Sequence, residues 1–243
     1  MAATLTPLLC LPPAGAGAGF YRPWFRGVPS SVGIAPLQLP GREERWAEPS
    51  WRTVREALGA LVPRAVALAA GADGRVALFG HGFGALLAYE LARALETQRG
   101  IHVLHVFASG AATPGIGLGA TAKEHYERAT DEDLSSRLEH LIGYRHRGLA
   151  RPELREHLLR PVRGDLAVLR AYRHVPEPVL SAPLTCLRGS SDTWVTAADC
   201  ARWASATTGV FRAFSLPGGH MYLKDSTAQI VDLIAATLAY EGA

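Results

Sequence analysis

The segment Val76-Ala77-Leu78-Phe79-Gly80-His81-Gly82-Phe83-Gly84-Ala85-Leu86-Leu87-Ala88 runs from an apolar strand straight into a helix through G-x-G-x-G. Glycines stand at 80 and 84, where the nucleophile elbow G-x-S-x-G has them, and Gly82 takes the place of that elbow's attacking hydroxyl. The central residue of such a turn adopts a positive φ, and small residues two positions either side let strand and helix pass closely. Gly82 accepts that backbone without strain but brings no nucleophile. Taken alone, the segment fits an ordinary tight strand-to-helix turn equally well. A dinucleotide fingerprint fits less well, because G-x-G-x-x-G is absent and no acidic residue ends the next strand, Val103 to Ala108.

Two later segments carry proton-transfer groups. Asp192 lies in Arg188-Gly189-Ser190-Ser191-Asp192-Thr193-Trp194-Val195, and His220 in Leu216-Pro217-Gly218-Gly219-His220-Met221-Tyr222-Leu223. Together they can act as an orienting carboxylate and a general base, the carboxylate fixing the ring's tautomer and stabilising the imidazolium. Singly, each reads more often as a helix cap or a surface histidine. A fourth segment, Leu11-Pro12-Pro13-Ala14-Gly15-Ala16-Gly17-Ala18-Gly19-Phe20-Tyr21, is so bare of side chains that its N–H groups can approach a developing oxyanion. Phosphate binding is the rival there, but no Gly-Lys-Ser/Thr follows; a flexible loop fits as well.

The elements that must position these residues alternate. Leu5 to Leu11, Val32 to Leu39, Arg75 to Gly80, Val103 to Ala108, Leu184 to Arg188 and Phe211 to Leu216 read as strands. Trp51 to Ala70, Gly84 to Glu96, Ala197 to Thr207 and Thr227 to Tyr240 carry apolar residues at helical spacing. Positions 82, 192 and 220 each fall at the carboxyl end of a predicted strand, in the chain order nucleophile, acid, base of α/β-hydrolases. The expectation is therefore an α/β protein of the α/β-hydrolase fold, one domain over residues 1–243, with a mostly parallel central sheet flanked by helices. Residues 113–183 are too long for a simple connection and carry apolar stripes at Leu134, Leu138, Leu141 and Ile142 and at Leu154, Leu158 and Leu159. They read as an inserted helical lid over the strand ends.

Composition limits the alternatives. At 243 residues, 48% apolar and 19% charged, the chain can bury a full core, which excludes disorder, collagen and a coiled coil. No apolar run reaches the roughly 20 residues of a membrane span, and Met1 to Cys10 lacks a secretory signal, so a cytoplasmic protein without a membrane partner is expected. Cys10, Cys186 and Cys200 are far apart and without metal-like spacing, and read as buried thiols; no metal is expected. The net charge of +3 is small and mixed in sign along the chain, too weak for a nucleic-acid footprint. Arg145, Arg147, Arg151, Arg155, Arg160 and Arg163 make the lid basic, as a solvated face or as a docking surface for an acidic partner. The other eight histidines lack paired metal spacing and are assigned to surface, caps or core.

At these residues the chain resembles the type II thioesterases, the free-standing editing hydrolases of polyketide and nonribosomal peptide assembly lines. Leu9-Cys10-Leu11-Pro12-Pro13-Ala14-Gly15 is similar to their FCFPHAGG opening, Phe20-Tyr21-Arg22-Pro23-Trp24 to FYRPW, and Gln38-Leu39-Pro40-Gly41-Arg42 to VQLPGR. Arg163-Gly164-Asp165 is similar to RAD in the lid, and Gly218-Gly219-His220 to GGHFFL. The resemblance spans nearly the whole chain. It implies removal of stalled or mis-loaded acyl groups from an acyl or peptidyl carrier protein, with no cofactor beyond the carrier's own phosphopantetheine arm; a monomer is expected. It also implies Asp192 and His220 as catalytic acid and base, and the N–H groups of Ala14 and Phe83 as oxyanion donors. Two residues depart from the pattern: Pro13 replaces a histidine, and Gly82 replaces the serine. Gly82 admits three explanations: an engineered inactivation; a natural enzyme in which His220 activates water or a substrate group for hydrolysis, cyclisation or rearrangement; and a catalytically silent module that binds acylated carriers.

Overall fold

A computed structural model describes residues 5–114, 130–142 and 147–241, without the side chains at 137 and 140–142. Parts of the expected lid (115–129 and 143–146), Arg145 and the side chains of Leu141 and Ile142 therefore lie outside the described residues.

Six strands form one sheet, all parallel, in the order β2-β1-β3-β4-β5-β6. They are β1 (Thr6–Leu11), β2 (Val32–Pro36), β3 (Arg75–His81), β4 (His102–Ser109), β5 (Leu184–Gly189) and β6 (Phe211–Leu216). β1 and β3 are buried almost end to end, as strands covered on both faces must be, and their near-continuous apolar sequence follows from that. Successive side chains alternate between two cores. Leu9, Leu11 and Leu78 face one with helices α1 (Val54–Ala70) and α2 (Phe83–Glu96). Leu8, Cys10, Ala77 and Phe79 face the other with Tyr21, Trp24 and helix α6 (Thr227–Glu241). This is the parallel α/β architecture that the sequence predicts.

Between β4 and β5 the chain forms α3 (Asp131–Ile142) and α4 (Pro152–Ala171). Leu134, Leu149, Leu159, Val162 and Leu166 make a small core of their own there. Of the arginines in this segment, Arg155 pairs with Glu132 at 3.0 Å and Arg163 with Asp131, so part of its positive charge is neutralised internally.

Three expectations are corrected. β2 stops at Pro36 rather than Leu39; proline is tolerated there because residue 36 turns its missing N–H to the free edge, and the last bond to β1 runs from Leu37 N–H to the Cys10 carbonyl at 2.9 Å. The helix expected at 197–207 is α5 (Ala197–Ala201) followed by a 3₁₀ turn, Arg202–Ala206. Only Cys10 is a buried free thiol: Cys186 at the centre of β5 and Cys200 on α5 are joined in a disulfide, their Cα atoms 5.8 Å apart. Linear spacing carried no sign of that pairing, because the intervening loop folds back on its strand.

Candidate active site

The turn after β3 shows why glycine recurs in G-x-G-x-G. A Cβ on Gly80 would lie 2.0 Å from the Gly84 carbonyl oxygen, and one on Gly84 would lie 2.1 Å from that of Leu11. Both positions are closed to any larger residue. Gly82 differs: its φ is +55°, in the left-handed region, yet a Cβ there would meet nothing nearer than Nε2 of His220 at 3.9 Å and the Gly110 carbonyl at 4.0 Å. Packing does not demand glycine at 82, and only the backbone angle favours it. The Gly82 N–H donates to the Ser109 carbonyl at 2.8 Å, pinning the elbow to the end of β4.

The loops after β5 and β6 are laced together. Ser190 N–H donates to the Leu216 carbonyl at 2.7 Å and Ser191 N–H to that of Gly218 at 2.9 Å. A Cβ on Gly189 would lie 2.1 Å from the Gly219 carbonyl, so the two loops approach backbone to backbone. This lacing brings together two residues 28 positions apart: His220 Nδ1 and Asp192 Oδ2 lie 2.9 Å from each other. The other carboxylate oxygen of Asp192 accepts from the N–H groups of Trp194 and Val195 at 2.8 and 3.1 Å. Burial pushes the Asp192 carboxyl up. The hydrogen bond and charge of His220, with the two backbone donors, outweigh it and hold the group below the ordinary carboxylate range. With Nδ1 donating to the carboxylate, Nε2 is left as the acceptor of the neutral ring, and it is the atom that faces the elbow.

The Pro13–Gly17 loop follows β1. Ala16 N–H returns to the Pro13 carbonyl at 3.0 Å and Gly15 has φ +79°, the signature of a type II turn with Ala14 and Gly15 at its centre. Ala14, Gly82, Phe83 and His220 all line a single cavity of about 1140 Å³ over the carboxyl ends of the strands. Its far wall comes from the α3–α4 segment through Leu138, Leu149, Leu158, Val162, Leu166 and Leu169, so the space is largely apolar.

Sequence reasoning did not pick out the buried polar row beneath this site. His81 Nδ1 lies 2.8 Å from Ser109 Oγ, which lies 2.7 Å from Tyr222 Oη. The His81 ring centroid is 4.9 Å from that of His220. Burial, and then the charge of His220, push the His81 imidazole well below its ordinary range, so it stays neutral. The signal was its place between two elbow glycines, which assigns it to the core without revealing its partners. Among the described residues no group of His, Cys, Asp and Glu is arranged to hold a metal ion, and no helix is long and apolar enough to cross a membrane.

The thioesterase-domain family profile matches residues 6–238. Linear gramicidin dehydrogenase LgrE of Brevibacillus parabrevis is 33% identical over 238 residues, 93% of this chain and 84% of that protein. Thioesterase PikA5 of Streptomyces venezuelae is 31% identical over 230 residues, 94% and 79% of the two chains. Among solved structures, the type II thioesterase BorB from the borrelidin biosynthetic cluster superposes with a TM-score of 0.83 at 33% identity, covering 97% of this chain and 93% of that one.

Proposed function

Because the chain belongs to the thioesterase family and is type II thioesterase-like, we propose that it cleaves acyl thioesters presented on the phosphopantetheine arm of carrier proteins in polyketide or nonribosomal peptide biosynthesis. On this reading Gly82 occupies the nucleophile position, and the reaction proceeds without an acyl-enzyme. The observation that carries the reading is the assembled Asp192–His220 pair, 2.9 Å apart, whose free Nε2 overlooks an elbow with room for a small nucleophile. A silent module has no physical need of that pair.

In the proposed mechanism the acyl group lies in the apolar cavity beneath a lid spanning 113–183, and the thioester carbonyl points between the N–H groups of Ala14 and Phe83. His220 Nε2 takes a proton from water as the water oxygen bonds to the carbonyl carbon, and the carbonyl electron pair moves onto oxygen. The two N–H groups stabilise that oxyanion, and Asp192 keeps the ring in the productive tautomer and balances its positive charge. On collapse the C–S bond breaks, and the proton on His220 passes to the departing thiolate. The products are a carboxylic acid and the free thiol of the arm. No cofactor enters this scheme.

The test is thiol release from acyl-pantetheine thioesters by the protein as it stands. His220→Ala is expected to lower the rate about 10²- to 10⁴-fold, the contribution of a positioned general base. An unchanged rate overturns the general-base mechanism. A chain that releases no thiol yet binds acylated carrier protein more tightly than bare carrier is a binding module, and that outcome overturns the enzymatic reading.

A further inference from the structure

Two of the sequence motifs, Leu39-Pro40-Gly41-Arg42 and Arg163-Gly164-Asp165, take no part in the chemistry above, although they lie 123 residues apart and meet inside the molecule. Arg42 Nη1 and Nη2 donate to Asp165 Oδ2 and Oδ1, each at 2.7 Å, a two-pronged pair with both side chains only 5% exposed. Neither residue stops at its partner. Asp165 Oδ2 also accepts the Gly15 N–H at 2.8 Å, and Arg42 Nη1 also donates to the Ala16 carbonyl at 3.1 Å.

We propose that Arg42 and Asp165 are a positioning pair that sets the orientation of the Pro13–Gly17 turn, and so aims the Ala14 N–H into the cavity. The inference rests on the oxyanion role of Ala14 proposed above. Type I and type II turns differ chiefly by rotation of the central peptide, here the one between Ala14 and Gly15. That peptide's N–H belongs to Gly15 and is the group Asp165 accepts, so the carboxylate keeps the Ala14 carbonyl turned the other way; the Ala14 N–H lies in the preceding peptide, and the pair fixes its aim by anchoring the turn at Gly15 and Ala16, just beyond it. Helix α4 fixes the turn from the same side: a Cβ on Gly15 would lie 2.5 Å from Val162 Cγ2, one turn before Asp165. Gln38 completes the support, accepting from Ala18 N–H at 2.5 Å and donating to the Arg42 carbonyl at 2.9 Å. Burial pushes the Asp165 carboxyl above its ordinary range, and the bonds from Arg42 and Gly15 counter only part of that push. A desolvated charge pair is a costly way merely to hold a helix in place, and its second set of bonds goes to the loop.

The experiment compares two unreactive acyl-pantetheine analogues by calorimetry: one with an amide for the thioester, planar and neutral, and one with a phosphonate there, tetrahedral and anionic. Mis-aiming an oxyanion donor affects the second far more than the first. Asp165→Ala is expected to weaken phosphonate binding about 10- to 100-fold while amide binding changes less than about threefold. Asp165→Asn keeps the side chain's size and one acceptor for Gly15; it is expected to show a smaller loss with the same bias, and it carries the test if the alanine variant does not melt cooperatively. Equal losses on both analogues, or no loss on the phosphonate, overturn the proposal. A wild-type chain that binds the amide but does not prefer the phosphonate removes the oxyanion reading beneath it, whereas one that binds neither removes the thioester substrate itself.

Discussion

Replacing Gly82 by serine installs one oxygen at the centre of the elbow, and the surroundings set both its cost and its effect. A non-glycine residue held at φ +55° stores about 1–3 kcal/mol of backbone strain, of which about 0.4–1 kcal/mol is recovered because the unfolded chain loses freedom. Contacts add nothing, since the new Cβ meets no atom nearer than 3.9 Å. For a chain of this size the net loss, between zero and about 2.6 kcal/mol, lowers the melting temperature by at most about 10 °C, which leaves the protein folded. The hydroxyl then extends from a Cβ 3.9 Å from His220 Nε2 and reaches hydrogen-bond distance of that nitrogen, about 2.6–3.2 Å. A covalent route opens, and thioester turnover is expected to rise on the order of 10³-fold or more. Intact-mass measurement after mixing with an acyl-pantetheine thioester reads the acyl adduct directly, and thiol release reads the rate. Gly82→Ala carries the same strain without the oxygen and is expected to show no adduct. A serine variant that melts cooperatively yet neither acylates nor accelerates refutes the reasoning. So does an adduct on the glycine protein, because a nucleophile would then lie elsewhere.

Two further outcomes are expected away from the elbow. Ser109→Ala leaves His81 and Tyr222 without their shared buried partner, and is expected to cost about 1–3 kcal/mol in denaturant unfolding; an unchanged midpoint would show that neither bond matters to stability. His105, in the middle of β4, bonds Thr185 at 2.8 Å; burial, then the nearby Arg212, lower its pKa to about 3. Its folded pKa lies below its unfolded value near 6.5, so the unfolded state binds the extra proton. This residue's contribution is intact above about pH 6.5 and falls by about 1.4 kcal/mol per unit as the pH drops towards 3. His105→Gln is expected to flatten the acid limb of the stability curve by that slope, and equal slopes for the two proteins would contradict a neutral buried imidazole.

The sheet was legible because its strands are short apolar runs separated by helical patterns, and burial on both faces forces that pattern into the sequence. Positions 82, 192 and 220 were legible for a related reason. In a parallel sheet, residues just past strand ends collect on one rim, so chain order alone brings them near one another. What spacing could not deliver was pairing across folded distance. Arg42 and Asp165 were each visible within a motif, but their contact depends on where α4 crosses the β1 loop. The Cys186–Cys200 bridge depends in the same way on the loop between β5 and α5 turning back. His81 reads only as one of the histidines of surface, caps or core, because its bond to Ser109 arises from the side-by-side register of β3 and β4.

The contrast among the three elbow glycines reaches beyond the reaction itself. Two are locked by carbonyls about 2 Å from where a methyl would sit, and any mutation there unmakes the turn. The middle one is sterically unconstrained, and glycine and serine codons of the GGY and AGY type differ by a single base. With codons of that type, one base change exchanges glycine and serine at position 82 without displacing a neighbouring atom, whereas no such exchange is open to its two companions.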